Sequence, residues 1–299
     1  MFENILGNEN NKQILNKSLQ SNKTSHSYLF CGIEGIGKKR FAEDIAQFLL
    51  CQNPQDIHCC DVCKSCVEFN TNNNPDFFLI EANDGKIKID QIREMQRKIA
   101  EKPIISERKV YIIDNADQMT TEAQNCLLKT LEEPPEYATI ILICSNENSM
   151  LNTIKSRCTR IYFLPIEQEE IKEFIQKNYN QEMDKDILEL AQGSIGKAIK
   201  ILDNQEMYIN LKNILSNMSK DNLIDVVQNA EMLYKTKDEI NSIIEYINVL
   251  LLKFSKDNKK YLSCISIVED TKKRLKANSN YDMCIDNMLF NIWYEMNKK

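Results

Sequence analysis

The sequence predicts an α/β domain built on a parallel sheet and followed by helices. In the first half of the chain, short apolar segments alternate with amphipathic ones, a pattern typical of strands joined by helices that cover the sheet. After Pro165 this alternation stops, and apolar residues recur only at helical spacing. We therefore expect a sheet domain at 1–165, a small helical domain at 166–205 and a second helical domain at 206–299.

Both strands and helices can be assigned within the sheet domain. The strands are predicted at 28–31, 77–81, 110–113, 139–144 and 160–164. The helices are predicted at 38–50, 90–101 and 121–132, and a longer helix is predicted at 238–256 in the last domain. Thr120 is the expected N-cap of the helix at 121–132, which Pro134 and Pro135 cannot continue.

A glycine-rich segment between the first strand and the first helix is close to a phosphate-binding loop. The pattern G-x-x-x-x-G-K-[ST] holds phosphates with backbone amides and a lysine, and its final hydroxyl holds Mg²⁺. The residues available for phosphates are Gly32, Gly35, Gly37 and Lys38. Lys39, however, stands at the hydroxyl position. Because a cation cannot ligate a cation, we expect ATP binding to be weak or absent.

The strand at 110–113 ends in a carboxylate. Asp114 stands where ATPases with such a loop place the acidic residue that holds Mg²⁺. Hydrolytic members of that class place a glutamate next, but Asn115 follows here, and an amide cannot act as the general base. A turn residue at the end of a strand is the alternative interpretation of Asp114.

The cysteines indicate a metal site. Five of the eleven lie between Cys51 and Cys66, in a long chain without a signal sequence, so metal binding is favoured over disulfides. The predicted ligands of one structural Zn²⁺ are Cys51, Cys60, Cys63 and Cys66. Cys59 and His58 stay open as replacements for Cys60, and free thiols or a redox pair are the alternative to metal. The other six cysteines are expected to be single buried thiols.

The net charge of −6 disfavours strong independent binding to a nucleic-acid backbone, which needs clustered Lys and Arg. The stretch 51–74 holds Lys64 as its one Lys or Arg, which weakens the idea of a zinc ribbon that binds nucleic acid. The sequence shows neither an apolar run of membrane-spanning length nor a signal peptide. We therefore expect a cytoplasmic protein.

Further segments carry a resemblance to a known family. They are HSYLF at 26–30, the four cysteines, NPD at 74–76, LLKTLEEPP at 127–135 and SRC at 156–158. Together they resemble the delta prime family of clamp-loader subunits of bacterial DNA polymerase III, which are relatives of the AAA+ ATPases. The resemblance is dense from 2 to 165, thins through 166–205 and is weak beyond.

The resemblance implies an AAA+ P-loop domain with a zinc-binding insertion at 51–70, a helical lid at 166–205 and a helical C-terminal collar that holds the oligomer together. It implies a heteropentamer with delta and tau or gamma subunits that loads the sliding clamp onto primed DNA. Within this DNA-directed DNA polymerase holoenzyme, the chain would have no independent activity. Arg157 would be an arginine finger, supplied in trans to the ATP of a neighbouring subunit.

Two details of the resemblance concern single residues. Gly196 stands where active relatives carry a lid arginine that contacts the γ-phosphate, so that contact would be missing as well. Glu132 and Glu133 lie at a helix end that is near a subunit boundary in the family, although a charged end facing water is an equal alternative. Two other functions stay open: a weak ATPase in its own right, since Lys38 and Asp114 remain, and a nucleic-acid-binding zinc ribbon.

Overall fold

A computed structural model describes the chain except residues 4, 22, 219–221, 223, 227–232, 235, 278 and 299. Tertiary contacts divide the chain into two compact units. The first consists of Met1–Phe174 with Gly193–Gly196, and the second consists of Ile175–Gln192 with Lys197–Lys299. The first unit thus takes in the predicted sheet domain, while the finer division of the helical region at 205 stays a prediction.

The first unit is built on a parallel sheet of five strands, which confirms the predicted fold class. The strands are β1 (Ser27–Cys31), β2 (Phe77–Ile80), β3 (Lys109–Ile113), β4 (Ala138–Cys144) and β5 (Thr159–Tyr162). Their order across the sheet is β2-β3-β4-β1-β5, and all neighbours are parallel. Each predicted strand is present, with bounds that differ by no more than two residues.

Helices cover the sheet. They are α1 (Glu9–Gln20), α2 (Lys38–Leu50), α3 (Lys64–Asn70), α4 (Ile89–Ile99), α5 (Thr121–Glu132) and α6 (Asn152–Lys155). Every residue of β1, β3 and β4 is buried, as expected for central strands of a parallel sheet covered on both faces. The Thr120 hydroxyl accepts a hydrogen bond from the amide of Ala123, so the predicted N-cap of α5 is confirmed.

The strand order decides which residues meet at one edge of the sheet. Because β3, β4 and β1 are consecutive and parallel, their carboxyl ends lie side by side. The glycine-rich loop follows β1, Asp114 follows β3, and Ser145 follows β4. The sheet therefore brings the predicted phosphate loop and the predicted metal carboxylate to the same edge.

The rest of the chain is helical where the structure describes it. The helices are α7 (Gln168–Tyr179), α8 (Lys185–Leu190), α9 (Ile195–Asp203), α10 (Gln205–Asn217), α11 (Ile240–Phe254), α12 (Lys260–Lys276) and α13 (Tyr281–Asn297). The helix predicted at 238–256 corresponds to α11, which follows a 3-10 turn at Lys237–Glu239. No helix in the described ranges is both long enough and apolar enough to cross a membrane.

An ion-pair cluster joins three helices of the second unit. Lys212 of α10 lies 3.1 Å from Asp184 and 2.7 Å from Asp186. Lys253 of α11 lies 2.5 Å from Asp186 and 2.9 Å from Glu189. Hydrogen bonds from Lys212 and Lys253 hold the pKa of Asp186 below its usual value. The shared carboxylate thus links α8 to two neighbouring helices.

Candidate functional site

The glycine-rich loop requires its glycines for steric reasons. Gly35 and Gly37 have φ angles of 74° and 101°, in the left-handed region that suits residues without a Cβ atom. A Cβ atom on Gly32 would lie 2.8 Å from the carbonyl oxygen of Phe163, which is too close for any side chain. The glycine spacing seen in the sequence is therefore required by this backbone conformation.

Lys38 is turned onto its own loop. Its side chain is 5% exposed, and its Nζ donates to the carbonyl oxygens of Gly32 at 2.5 Å and Ile33 at 2.8 Å, and to Ser145 Oγ at 3.3 Å. Burial lowers the pKa of Lys38, although the carboxylates of Asp117 and Asp114 oppose that shift. The ammonium group therefore satisfies its hydrogen bonds within the chain.

Lys39 lies against the carboxylate predicted to hold Mg²⁺. Its Nζ is 2.6 Å from Oε1 of Glu81 and 3.5 Å from Oδ2 of Asp114. Partial burial acts to lower the pKa of Lys39, but the hydrogen bond from Lys39 to Glu81 and the charge of Asp114 raise it above its ordinary value. A fixed positive charge therefore stands next to Asp114.

Sequence reasoning missed Glu81 as the partner of Lys39. The signal was available, because Glu81 follows β2 directly and the predicted strand at 77–81 ended on it. What the sequence does not give is the strand order, which puts β2 next to β3 and so brings Glu81 near Asp114. The two carboxylates together hold the Lys39 ammonium.

Asn115 has a conformational role in addition to the missing base. Its φ angle is 52°, in the left-handed region, where Asn is one of the few tolerated side chains. The backbone amide of Asn115 donates to Oδ1 of Asp114 at 2.9 Å. A 3-10 turn at Ala116–Gln118 follows. The carboxylate of Asp117 in that turn accepts hydrogen bonds from the backbone amides of Ser145 at 3.4 Å and Asn146 at 3.2 Å. The ends of β3 and β4 are thereby tied together.

The segment Gly193–Gly196 packs directly on the loop. The amide of Gly196 donates to the carbonyl oxygen of Gly35 at 2.8 Å, and Ser194 Oγ donates to the carbonyl oxygen of Glu34 at 2.7 Å. A Cβ atom on Gly196 would lie 3.0 Å from Cα of Gly35. Gly196 is thus in backbone contact with the loop, and any side chain there would require the loop to shift.

Two thiols lie beneath this edge of the sheet. Cys31 and Cys144 end β1 and β4 in register, and their Sγ atoms are 3.5 Å apart and buried. The thiol of Cys144 donates to Cys31, which lowers the pKa of Cys31 and raises that of Cys144. Both are free and buried, as predicted, but their closeness was not predicted because strand register cannot be read from cysteine spacing.

The four cysteines predicted as metal ligands come together. The Sγ atoms of Cys51, Cys60, Cys63 and Cys66 all lie within 4.8 Å of one another, and those of Cys51 and Cys60 are 3.6 Å apart. A tetrahedral Zn²⁺ with Zn–S bonds of about 2.3 Å needs sulfur atoms about 3.8 Å apart. The cluster therefore has the size and the donor set that a zinc ion requires.

Backbone amides point at these sulfur atoms, as thiolate ligands need. The amides of Cys60, Cys63 and Cys66 donate to the sulfur atoms of Cys51, Cys60 and Cys63, each at 3.4 Å. Hydrogen bonds from the amides of Val62 and Cys63 lower the pKa of Cys60 to about 6. The knuckle thus stabilises negative charge on the sulfur of Cys60, whereas burial raises the pKa of Cys51 and of Cys66.

Cys59 and His58 lie outside the cluster. The sulfur atoms that lie within 4.8 Å of one another include that of Cys60 but not that of Cys59, whose pKa is raised to about 12 by burial. The half-exposed ring of His58 lies 3.4 Å from the N-terminal amine and 4.0 Å from Glu3 through its Nδ1. The geometry therefore favours Cys60 over both alternatives.

The motif NPD at 74–76 fixes the cysteine module to the sheet. Asn74 Nδ2 donates to the carbonyl oxygen of Ser65 in α3 at 2.9 Å. The buried carboxylate of Asp76 accepts the amides of Ile104 at 2.7 Å, and of Ile105 and Ser106 at 2.8 Å each. These contacts explain why the motif stands immediately before β2.

Arg157 lies at the surface beside the end of α5. Its side chain is 34% exposed, and its Nη2 is 2.6 Å from Oε1 of Glu132, which is 49% exposed. Its Nη1 donates to the carbonyl oxygen of Thr153 at 2.9 Å and to Ser156 Oγ at 3.4 Å. These partners belong to α5 and to the segment 152–157, and none of them belongs to the glycine-rich loop.

Comparison with known proteins identifies relatives of this chain. The family described as "DNA polymerase III, delta subunit" matches residues 7–167. The delta' subunit of DNA polymerase III from Bacillus subtilis is 32% identical over 195 residues, which are 65% of this chain and 59% of that protein. The delta' subunit from Pseudomonas aeruginosa is 37% identical over 138 residues, 46% of this chain and 42% of that protein.

A gamma/tau subunit is similar over more of the chain. That of Mycoplasma genitalium is 33% identical over 258 residues, which are 83% of this chain and 43% of that protein. The chain therefore spans between 42% and 59% of the length of these three curated relatives. A crystal structure of a gamma subunit-related protein from Thermotoga maritima superposes with a TM-score of 0.50 at 17% identity, covering 95% of this chain and 99% of that one, which supports the fold alone.

Proposed function

Because the chain belongs to the DNA polymerase III delta subunit family, we propose that it is the delta prime subunit of a clamp loader. In this role it assembles in the cytoplasm with delta and with tau or gamma subunits into a heteropentamer that loads the sliding clamp onto primed DNA. It does not hydrolyse ATP itself, and it donates Arg157 to the ATP site of a neighbouring subunit.

The ion pair of Lys39 is the observation that carries the non-hydrolysing role. Mg²⁺ bound to ATP needs a loop hydroxyl and a carboxylate, and here an ammonium stands in place of the first and 3.5 Å from the second. Two positive charges about 4 Å apart repel by about 4 kcal/mol at an effective dielectric of about 20. A metal ion at Asp114 would therefore have to displace Lys39 and break its 2.6 Å contact with Glu81.

Two further features support the same role. Asn115 cannot accept a proton from an attacking water, and its left-handed backbone disfavours most other side chains. Gly196 offers no guanidinium to a γ-phosphate and sits against Gly35. Other residues thus stand at the positions of the hydroxyl, the base and the lid arginine. Three such replacements in one chain disfavour the alternative of a weak ATPase.

A structural zinc ion belongs to the proposal. Cys51, Cys60, Cys63 and Cys66 would hold it, and four thiolates leave no open coordination position for catalysis. When bound, such an ion would cross-link the four cysteines and would have no catalytic role. Cys51 ends α2, the helix that begins at the glycine-rich loop, so the module would brace that helix from its far end.

The arginine finger is tested by replacing Arg157 with alanine in a reconstituted loader. We expect ATP hydrolysis stimulated by clamp and primed DNA to fall about tenfold or more, because such arginines stabilise charge on the transferring phosphoryl group. The variant loader should still assemble, because Arg157 is exposed, and size-exclusion chromatography would measure this assembly.

Arg160→Ala is the matched control. Arg160 is also exposed and also paired with a glutamate, at 3.4 Å from Glu147. We expect its loss to leave hydrolysis unchanged. An Arg157→Ala loader that assembles and hydrolyses ATP at the unaltered rate would rule out the finger, whereas equal losses in both variants would point to a general surface effect.

A further inference from the structure

We propose that Glu132 is a positioning residue for Arg157, which it holds in the geometry that meets the partner's phosphate. The inference rests on the proposed function, because it concerns the same arginine. It starts from the ion pair between Nη2 of Arg157 and Oε1 of Glu132, at 2.6 Å.

The guanidinium is held from two directions. Nη1 donates to Thr153 and Ser156, which lie within the four residues before Arg157, whereas Nη2 forms an ion pair with Glu132, which comes from the last turn of a different helix. The contact with Glu132 is the one that fixes the guanidinium relative to α5.

Enough donors remain for an anion. A guanidinium carries five N–H donors in a planar fork. Among the described residues, Nη1 donates to Thr153 and Ser156 and Nη2 forms the ion pair with Glu132, so Nε takes part in none of these contacts. The arginine can therefore keep its three partners in the chain and still bind a phosphate oxygen with the remaining edge.

The end of α5 is built to present Glu132 at this place. The helix stops at Glu132 because Glu133 leaves the helical conformation and Pro134 and Pro135 follow. Glu132 is therefore the last residue whose direction is set by the helix. An arginine positioned in advance loses less freedom when it binds the transition state, which raises the rate of the step rather than the affinity for substrate.

The expected effect separates positioning from simple surface stability. An exposed ion pair contributes little to folding, so Glu132→Ala should leave the thermal unfolding temperature of the subunit and the assembly of the loader unchanged. In the complete loader with clamp and primed DNA, we expect kcat for ATP to fall about three- to tenfold, with KM for ATP unchanged. Glu132→Gln, which keeps an acceptor at Oε1, should retain more than half of kcat.

The experiment is a double-mutant cycle in the reconstituted loader. If Glu132 acts through Arg157, Glu132→Ala has no further effect on an Arg157→Ala loader. Glu147→Ala, which removes the similar pair with Arg160, is the control and should leave kcat unchanged.

The possible outcomes distinguish the two proposals. An unchanged kcat in Glu132→Ala, while Arg157→Ala is impaired, would overturn the role of Glu132 and leave the arginine finger standing. Full additivity of the two losses, or a glutamine variant as impaired as the alanine variant, would also overturn it. An unchanged rate in Arg157→Ala would remove the finger and the role of Glu132 with it.

Discussion

The Nζ atom of Lys39 lies 3.5 Å from Oδ2 of Asp114, so a side-chain ammonium occupies the surroundings that a nucleotide-bound Mg²⁺ would require. The positive charge beside Asp114 thus belongs to the side chain of Lys39 and cannot dissociate as a bound metal ion would. It therefore offsets the negative charge of Glu81 and Asp114 at this edge of the sheet without nucleotide.

Replacing Lys39 by threonine restores the hydroxyl of the loop pattern and frees Asp114. We expect Mg²⁺-dependent ATP binding to strengthen about tenfold, equivalent to about 1.4 kcal/mol, in isothermal titration calorimetry. Turnover should stay absent because Asn115 and Gly196 are unchanged. Lys39→Ala, which removes the charge without adding a ligand, should gain less. Tight Mg²⁺-dependent binding by the unaltered chain would contradict the blocked site.

Metal analysis tests the cysteine cluster. The purified chain should contain about one zinc ion, because four sulfur donors are arranged for tetrahedral coordination. Cys60→Ser should lower the zinc content, whereas Cys59→Ser, a change at the neighbouring cysteine outside the cluster, should retain it. The reverse pattern would make Cys59 the ligand, and a chain free of zinc after purification without chelators would dismiss the metal site.

Asp76 should be among the most sensitive positions for folding. Asp76→Ala leaves three buried amides, those of Ile104, Ile105 and Ser106, without their acceptor. We expect the free energy of unfolding in urea to fall by about 3 kcal/mol or more, since each hydrogen bond to a charged group contributes about 1.5–3 kcal/mol. Asp90→Asn, at an exposed carboxylate, is the control and should change little. Equal stability of the two variants would be incompatible with this role.

The ion pairs of Asp186 should make the stability of the second unit depend on pH. Its pKa in the folded chain is lowered by Lys212 and Lys253, below the value of about 3.9 expected in the unfolded chain. The stabilisation is therefore present above about pH 4 and is lost as the pH falls through the folded pKa. Asp186→Asn should lower the unfolding temperature at pH 7 by more than at pH 3.

The matching control is Asp270→Asn, since Asp270 forms an exposed pair with Lys273 at 3.1 Å. Such a pair contributes little, so this variant should resemble the unaltered chain at both pH values. A loss for Asp186→Asn that is the same at pH 3 and pH 7 would mean that the contribution of Asp186 is not electrostatic.

The features that the sequence predicted correctly depend on local patterns. The strands, the loop and the cysteine cluster follow from apolar runs, glycine positions and short spacings. The contacts that were missed join residues distant in sequence: Lys39 with Glu81, Gly196 with Gly35, and Arg157 with Glu132. Each depends on strand order or helix packing, and neither is encoded in the spacing of the residues involved.

Asp76 also has a consequence for which changes in chain length the cysteine module can accommodate. Its carboxylate anchors 104–106, while its own carbonyl oxygen accepts the amide of Val110 at 2.9 Å and so sets the register of β2 against β3. Insertions between Cys51 and Cys60 would lengthen a surface loop and leave that register intact. One residue added between Asn74 and Phe77 would instead shift every pairing of β2, so the module can vary in size only upstream of this point.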